Sequence, residues 1–231
     1  MTASGQATAP APPRVGLFGG TFNPIHIGHL WAAEAVAEAF DLERMIFVPS
    51  AEPPHKTRSR GNPIAPANWR LAWVRAAVAD NPRFAVDALE IERGGPSYSL
   101  DTLRTFHGRL TPELPVFVIG LDAFGELDSW HEPGALFSLA HFAVITRPPA
   151  IRGRLADWLP KCARDDIVLA SDGFSGRHRS ADTWVRLIEI SALDVSASEI
   201  RARLREGRSV RYLLPGAVLT AVMESGAYAQ P

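Results

Sequence analysis
Two kinds of apolar pattern alternate along this chain. Short consecutive runs occupy residues 15–18, 45–48, 116–119, 142–146 and 167–170. Between them, apolar residues recur every three or four positions. Residues 27–40 carry Leu30, Ala33, Val36 (or Ala37) and Phe40 on one face, and 68–79 carry Leu71, Val74 and Val78. The segments 100–110, 196–206 and 216–225 also read as helices, while 84–91 reads as extended and partly alternating and 185–190 alternates. A run that is apolar on both faces is a strand buried on both sides. Such runs interleaved with helices predict a mainly parallel sheet with helices on both faces, a doubly wound α/β fold of Rossmann-like outline. Ligands bind beyond the carboxyl ends of such strands. The chemistry is therefore expected just after Phe18, Val48, Ile119, Thr146 and Ile190.

Residues 1–13 are rich in Ala, Pro, Thr and Ser and lack the basic and apolar regions of a secretory leader, so they read as a flexible extension before one domain spanning 14–231. No apolar run approaches the roughly 20 residues that cross a bilayer. The 231 residues hold 24 Lys+Arg against 25 Asp+Glu, a balance that offers no general attraction to nucleic acid. One cysteine, Cys162, excludes an internal disulfide and a cysteine-based zinc site, and fits a reducing cytoplasm. All but two of the basic residues are arginine, the exceptions being Lys56 and Lys161. The pattern leaves the oligomeric state open.

The loop after the first strand reads Gly16-Leu-Phe-Gly-Gly-Thr-Phe-Asn-Pro-Ile-His-Ile-Gly-His-Leu30. It has neither the GK[ST] ending of a P-loop nor the spacing of a dinucleotide fingerprint. Gly19 and Gly20 let backbone approach a ligand, and the helix that follows turns its N–H groups and positive dipole end toward a phosphate. His26 and His29 are spaced i, i+3 and so are neighbours, with Gly28 removing a side chain from the approach. Two imidazoles at a positive helix end suit charge developing on a phosphoryl group. The same spacing admits zinc, but no third ligand stands nearby in the sequence.

The string GxFGGTFNPxHxGH resembles the opening of the HxGH nucleotidyltransferases, and more closely that of bacterial nicotinate-nucleotide adenylyltransferases. The resemblance runs from about Val15 to Tyr228. It implies adenylyl transfer from ATP to nicotinate mononucleotide, giving deamido-NAD and pyrophosphate in NAD biosynthesis. It places Gly19, Gly20, Thr21, Phe22 and Gly28 at ATP, and Asn23 at nicotinate mononucleotide.

Further segments follow in the family's order. Val195-Ser-Ala-Ser-Glu-Ile-Arg201 resembles its ISSTxIR phosphate motif, with Val195, Ala197 and Ser198 departing from it. On physical grounds Ser196 is an N-cap with Glu199 three residues on, a capping box. Ser198 and Arg201 then share a helix N-terminus, where hydroxyl, N–H and guanidinium fit a polyphosphate. Gly120 and Asp122 at a strand end, which the resemblance places at ATP, then Trp130, resemble the family's GxD followed by a tryptophan that stacks on the pyridine ring; an indole suits a cationic heteroaromatic ring. Tyr98 and Ser99 occupy the positions whose backbone amides hold the nicotinate carboxylate, and a helix start there favours an acid over an amide. His131 stands where the family is expected to carry a different side chain. Lys56, in Pro53-Pro-His-Lys56, and Arg147, before Pro148-Pro149, resemble basic residues of the same anionic site. His141 and Cys162 read as structural, and Arg177 and Arg179 lie in a polar loop, 172–182, with no assigned role.

The resemblance implies His29 at the α-phosphate, His26 at the neighbouring phosphates, and Ser196, Ser198 and Arg201 at the β- and γ-phosphates. His29, His26 and Arg201 are the candidate catalytic residues. Mg²⁺ is implied by the triphosphate rather than by a carboxylate cluster, so no protein metal site is expected. An aminoacyl-tRNA synthetase also carries a HIGH-type motif, here literally His26-Ile-Gly-His29, but needs a lysine-rich KMSKS loop that two scattered lysines cannot supply. Pantetheine-phosphate adenylyltransferase shares the superfamily but not the Tyr98 and Gly120-to-Trp130 segments. The remaining alternatives are an enzyme preferring nicotinamide mononucleotide and a non-catalytic nucleotide sensor.

Overall fold
The computed structural model describes residues 14–54, 64–146, 153–191 and 193–228. In chain order the elements are β1 (Val15–Gly20), α1 (Ile27–Ala39), β2 (Arg44–Pro49), α2 (Ala67–Val78), β3 (Phe84–Val86), α3 (Leu89–Arg93), α4 (Ser99–Leu110), β4 (Val116–Gly120) and α5 (Leu121–Gly125). There follow α6 (Pro133–Leu139), β5 (His141–Thr146), α7 (Leu155–Trp158), β6 (Ile167–Leu169), β7 (Ser175–His178), β8 (Trp184–Glu189), α8 (Ala197–Arg205) and α9 (Gly216–Ser225). The strands form one sheet in the order β3-β2-β1-β4-β5-β8-β7-β6. From β3 to β8 every pairing is parallel, and β7 runs antiparallel to both of its neighbours.

The period of two in the strands explains why both faces are covered. Phe18 and Phe47 join Ala33, Val36, Trp73, Val74, Ile200 and Val218 in one core, so α1, α2, α8 and α9 pack on that face. Leu17, Val48, Phe117 and Ile119 join Leu100, Leu103, Phe124 and Phe137 in the other, under α4, α5 and α6. The strand order reverses between β1 and β4, because β2 lies on one side of β1 and β4 on the other. Connections leave that point toward opposite faces and open a crevice at the carboxyl ends of the strands.

Two segments depart from the sequence expectation. Residues 84–91 do not stay extended: the Asp87 carboxylate accepts the Leu89 N–H at 2.8 Å, which turns the chain into α3 after three residues of strand. The polar segment 172–182 contains β7. Asp172 accepts the Phe174 and Ser175 N–H groups at 2.8 and 2.9 Å and the Ser175 hydroxyl at 2.7 Å, making the turn that sends β7 back along β8. Within it Arg177 pairs with Asp182, and Arg179 donates to the Asp165 carbonyl. His141 stacks on Trp184 at 4.7 Å and burial lowers its pKa to about 4, while burial raises the Cys162 thiol to about 12. Both are packing residues in neutral form.

Candidate active site
The loop from β1 into α1 is shaped by side chains that turn inward. Phe22 takes a left-handed backbone (φ 46°) and sets its ring edge-on against His29, with centroids 5.2 Å apart. A side chain at Gly20 would collide with that ring, since its Cβ would lie 2.9 Å from a ring carbon. His26 is the N-cap of α1 and is 2% exposed. Its ring stacks on His29, with centroids 3.7 Å apart and planes 29° from parallel. Gly28 serves this stack: a Cβ there would meet His26 Nδ1 at 3.1 Å, so the glycine clears room for an imidazole as well as for a ligand.

The stack fixes a tautomer. His29 Nδ1 accepts the His26 backbone N–H at 3.2 Å, so in the neutral ring the proton sits on Nε2. That N–H is a donor of the kind a phosphate oxygen needs. The amides of α1 itself are partly engaged elsewhere: the Ile27 N–H goes to the Leu213 carbonyl at 3.1 Å and the His29 N–H to the His26 carbonyl at 2.9 Å.

Two buried guanidinium groups hold this loop from below. Arg201 of α8, 6% exposed, donates to the Asn23 carbonyl at 2.7 Å and to Ser198 Oγ at 3.0 Å. Burial lowers its pKa from the free arginine value. Asn23 Oδ1 accepts from the Ala65 N–H at 3.0 Å and from the Tyr228 hydroxyl at 2.5 Å, contacts that fasten the loop to the chain's end. Arg70, 1% exposed, donates to the carbonyls of Thr21, Ala51 and Ala65 at 2.7–2.9 Å. Arg70 was not singled out in the sequence, where one arginine on an amphipathic helix looks like any other. Ser196 caps α8, its Oγ accepting the Glu199 N–H at 3.1 Å. The expected reciprocal bond of the box is replaced by a forward contact, Glu199 to Arg203 at 3.5 Å.

Beyond β1 and β4 lies a cleft of about 290 Å³. It brings together the predicted Gly19, Gly20, Thr21, Tyr98, Ser99, Gly120 and Trp130. It also includes Ser50, Glu90, Ser97 and His131; nothing in the local sequence around Ser50 and Glu90 marks them as site residues. Glu90 is 6% exposed; burial raises its pKa, and the Thr102 hydroxyl donates to it at 2.6 Å. Ser97 Oγ accepts the Ala51 N–H at 2.8 Å, and its N–H meets the Glu52 carbonyl at 2.9 Å, joining the loop after β2 to the start of α4. His131 lies on Tyr98, ring centroids 4.8 Å apart. Phe18 separates this cleft from a narrower hollow lined by Gly28, His29, Trp31, Ile190 and Val195. Asp122 is exposed in the first turn of α5 and does not line the cleft, and Ser198 is exposed on α8. Lys56 and Arg147 lie outside the described residues.

A larger hollow, about 820 Å³, opens at the other end of the sheet, among Arg14, Val116, His141 and Trp184. It sits at the amino ends of the parallel strands, away from both histidines and from the switch in strand order. Position and chemistry, rather than size, pick out the smaller cleft.

Residues 17–203 match the cytidylyltransferase-like family profile. The "Probable nicotinate-nucleotide adenylyltransferase" of Geotalea daltonii is 41% identical over 215 residues, covering 93% of this chain and 98% of its own. The protein of the same description in Halorhodospira halophila is 42% identical over 219 residues, covering 94% and 96%. The chain belongs to the nicotinate-nucleotide adenylyltransferase family. Among solved structures, Plasmodium falciparum nicotinic acid mononucleotide adenylyltransferase complexed with NaAD superposes with a TM-score of 0.69 at 16% identity, covering 94% of this chain and 98% of that one. That likeness establishes the fold. His26 and His29 of this chain are the stacked pair at α1, and Ser196 caps the start of α8.

Proposed function
We propose that the protein transfers the adenylyl group of ATP to nicotinate mononucleotide, releasing pyrophosphate and forming nicotinate adenine dinucleotide for NAD synthesis. The observation that carries this reading is the stacked His26–His29 pair, whose His29 ring lines the narrower hollow that shares Phe18 with the cleft. The cleft with Trp130 and Tyr98 suits the pyridine nucleotide. The hollow between His29 and residues 190–195 suits the adenosine side. Between them a phosphate oxygen of the mononucleotide attacks the α-phosphorus of ATP. The bond from that phosphorus to the β-phosphate oxygen breaks, and pyrophosphate leaves. Both reactants are anionic, so positioning and charge stabilisation dominate the barrier. His29 donates through Nε2 to the transferring phosphoryl group, and His26 backs it. Arg201 positions the loop through the Asn23 carbonyl and, with Ser196 and Ser198, faces the outer phosphates. Lys56 and Arg147 add positive charge at the mononucleotide.

Among the described residues no three His, Cys, Asp or Glu side chains converge on a common point. Mg²⁺ would be held by the triphosphate oxygens and water, where it would offset phosphate charge. No helix among the described residues is long and apolar enough to cross a membrane. The lone thiol of Cys162 supports a reducing, cytoplasmic setting.

The test is pyrophosphate release from ATP with either nicotinate or nicotinamide mononucleotide. Faster turnover of the acid is expected, and His29→Ala is expected to lower kcat by roughly 10²–10³-fold, the usual effect of removing a donor to developing charge. Near-normal release by that variant would remove the role given to His29. Equal rates with both nucleotides would overturn the acid preference, and no product from either would leave a nucleotide sensor.

A further inference from the structure
Buried polar groups in a folded chain are nearly always hydrogen-bonded, and an exception on the wall of a cleft points to a ligand. Ser50 is such an exception. We propose that Ser50 is a specificity-determining residue that reads the sugar of the mononucleotide, its hydroxyl pairing with a ribose hydroxyl. This inference rests on the substrate reading above and refines it.

Ser50 follows β2 and opens a short segment, 50–52, that is fastened from several directions. Its own N–H donates to the Gly20 carbonyl at 2.9 Å, at the end of β1. The Ala51 N–H donates to Ser97 Oγ at 2.8 Å, and the Glu52 carbonyl accepts the Ser97 N–H at 2.9 Å. Arg70 donates to the Ala51 carbonyl at 2.9 Å and to the Thr21 carbonyl at 2.7 Å. These four backbone groups of the segment are spent on protein contacts. The Ser50 side chain is not. Ser50 is 7% exposed and lines the cleft, yet its Oγ has no hydrogen-bond partner among the described residues. A buried hydroxyl left in that state is costly, and a partner brought by a ligand removes the cost. The hydroxyl swings between staggered positions about one bond, so it can turn to a ligand while the fastened backbone stays in place.

Placement selects the part of the ligand. Through Gly20 and through Ser97, the segment lies between the loop that leads to the histidines and the residues that start α4. A mononucleotide with its ring at Trp130 and its phosphate toward His29 puts its ribose between those two points, beside Ser50. A ribose hydroxyl both gives and accepts a hydrogen bond, as a serine does, so the pair needs neither charge nor a particular protonation state. The neighbouring polar side chains are engaged: Ser97 Oγ holds the Ala51 N–H, and Glu90 holds the Thr102 hydroxyl at 2.6 Å.

The test compares kcat/KM for nicotinate mononucleotide with that for its 2′-deoxy and 3′-deoxy analogues, in the wild type and in Ser50→Ala. The wild type should lose about fivefold with the analogue that lacks the contacted hydroxyl, the scale of one ordinary hydrogen bond. Ser50→Ala should lose about the same factor with the parent nucleotide and nothing more with that analogue, because the partner is already gone. KM for ATP should be unchanged, which a displaced segment could not give, since Arg70 ties Ala51 to the Thr21 loop. The urea midpoint of Ser50→Ala should be no lower than that of the wild type, because the hydroxyl has no protein partner to lose. Undiminished discrimination in Ser50→Ala would overturn the proposal and move the contact to Thr21 or Glu90. A lowered midpoint with unchanged kinetics would also overturn it, by giving the hydroxyl an internal role. A wild type that turns over no pyridine mononucleotide would remove the substrate reading and this inference with it, whereas one that uses the parent and both analogues equally would sink the inference alone.

Discussion

Two helix starts flank the site, and different forces hold them. The loop 21–26 before α1 is gripped chiefly by buried guanidinium groups, Arg70 on the Thr21 carbonyl and Arg201 on the Asn23 carbonyl, with the Tyr228 hydroxyl on the Asn23 side chain. These partners come from α2, from α8 and from beyond α9, so much of the chain converges on one loop. The segment 96–98 before α4 is held without a guanidinium of its own, chiefly by Ser97 with the Ala51 N–H and the Glu52 carbonyl, and by the Thr102 hydroxyl on Glu90. The side chains it offers the ligand, with those of residues 130 and 131, remain partly open to water. The difference follows from what each end has to do. A phosphoryl transfer loses rate steeply when reacting groups shift by an ångström, so its scaffold is over-determined. A ring pocket tolerates adjustment, so its lining can stay partly open to water.

Arg70 joins the two ends, so its removal is the largest blow to the contrast. Arg70→Ala leaves three carbonyls without their donor, on the loops at Thr21, Ala51 and Ala65. Each unsatisfied buried acceptor costs about 1–3 kcal/mol, and with partial relaxation the sum is about 3–5 kcal/mol of stability. Urea unfolding should show the midpoint falling with the slope unchanged, and KM should rise for both substrates. A rise for only one of them would mean that the loops are fastened independently.

That residue also marks the boundary of what the sequence discloses. The β1–α1 motif is legible because Gly20, Phe22, His26, Gly28 and His29 constrain one another within ten residues, and the structure reproduces those constraints as ring contacts. The alternation of buried runs and helices likewise foretells the parallel sheet. Arg70 and Glu90 are illegible for the opposite reason. Their partners lie 5–49 and 12 residues away, and nothing in their local pattern separates them from solvated charges. The strand β7 is hidden because Ser175-Gly-Arg-His178 has no strand pattern and is extended only through pairing with β6 and β8. The capping box is legible only at its first position: Ser196 caps α8, but Glu199 turns to Arg203, four residues on.

A smaller change should separate the ends. Trp130 packs one side against the core under α4 and α6 and lines the cleft with the rest. Trp130→Ala is expected to raise KM for nicotinate mononucleotide about tenfold, the scale of one cation–π contact in a partly desolvated site. KM for ATP should stay within twofold. Parallel rises for both substrates would show that the cleft is not divided as described.

The smallest expected effect tests whether the phosphate end uses side chains or only backbone geometry. Ser196 Oγ accepts the Glu199 N–H and still has its own proton to give, so one hydroxyl can cap α8 and contact a phosphate together. Two substitutions part these roles. Ser196→Ala removes cap and hydroxyl and should cost about 1 kcal/mol of stability, whereas Ser196→Gly removes the hydroxyl but costs only a few tenths, because glycine is tolerated at an N-cap. If the hydroxyl meets the triphosphate, KM for ATP rises about threefold in both variants, the loss of one ordinary hydrogen bond. If it only caps, KM for ATP follows stability, rising in the alanine variant and not in the glycine one. Arg201 stays anchored to Asn23 in either case, so any rise shared by the two variants belongs to the lost hydroxyl rather than to a displaced guanidinium.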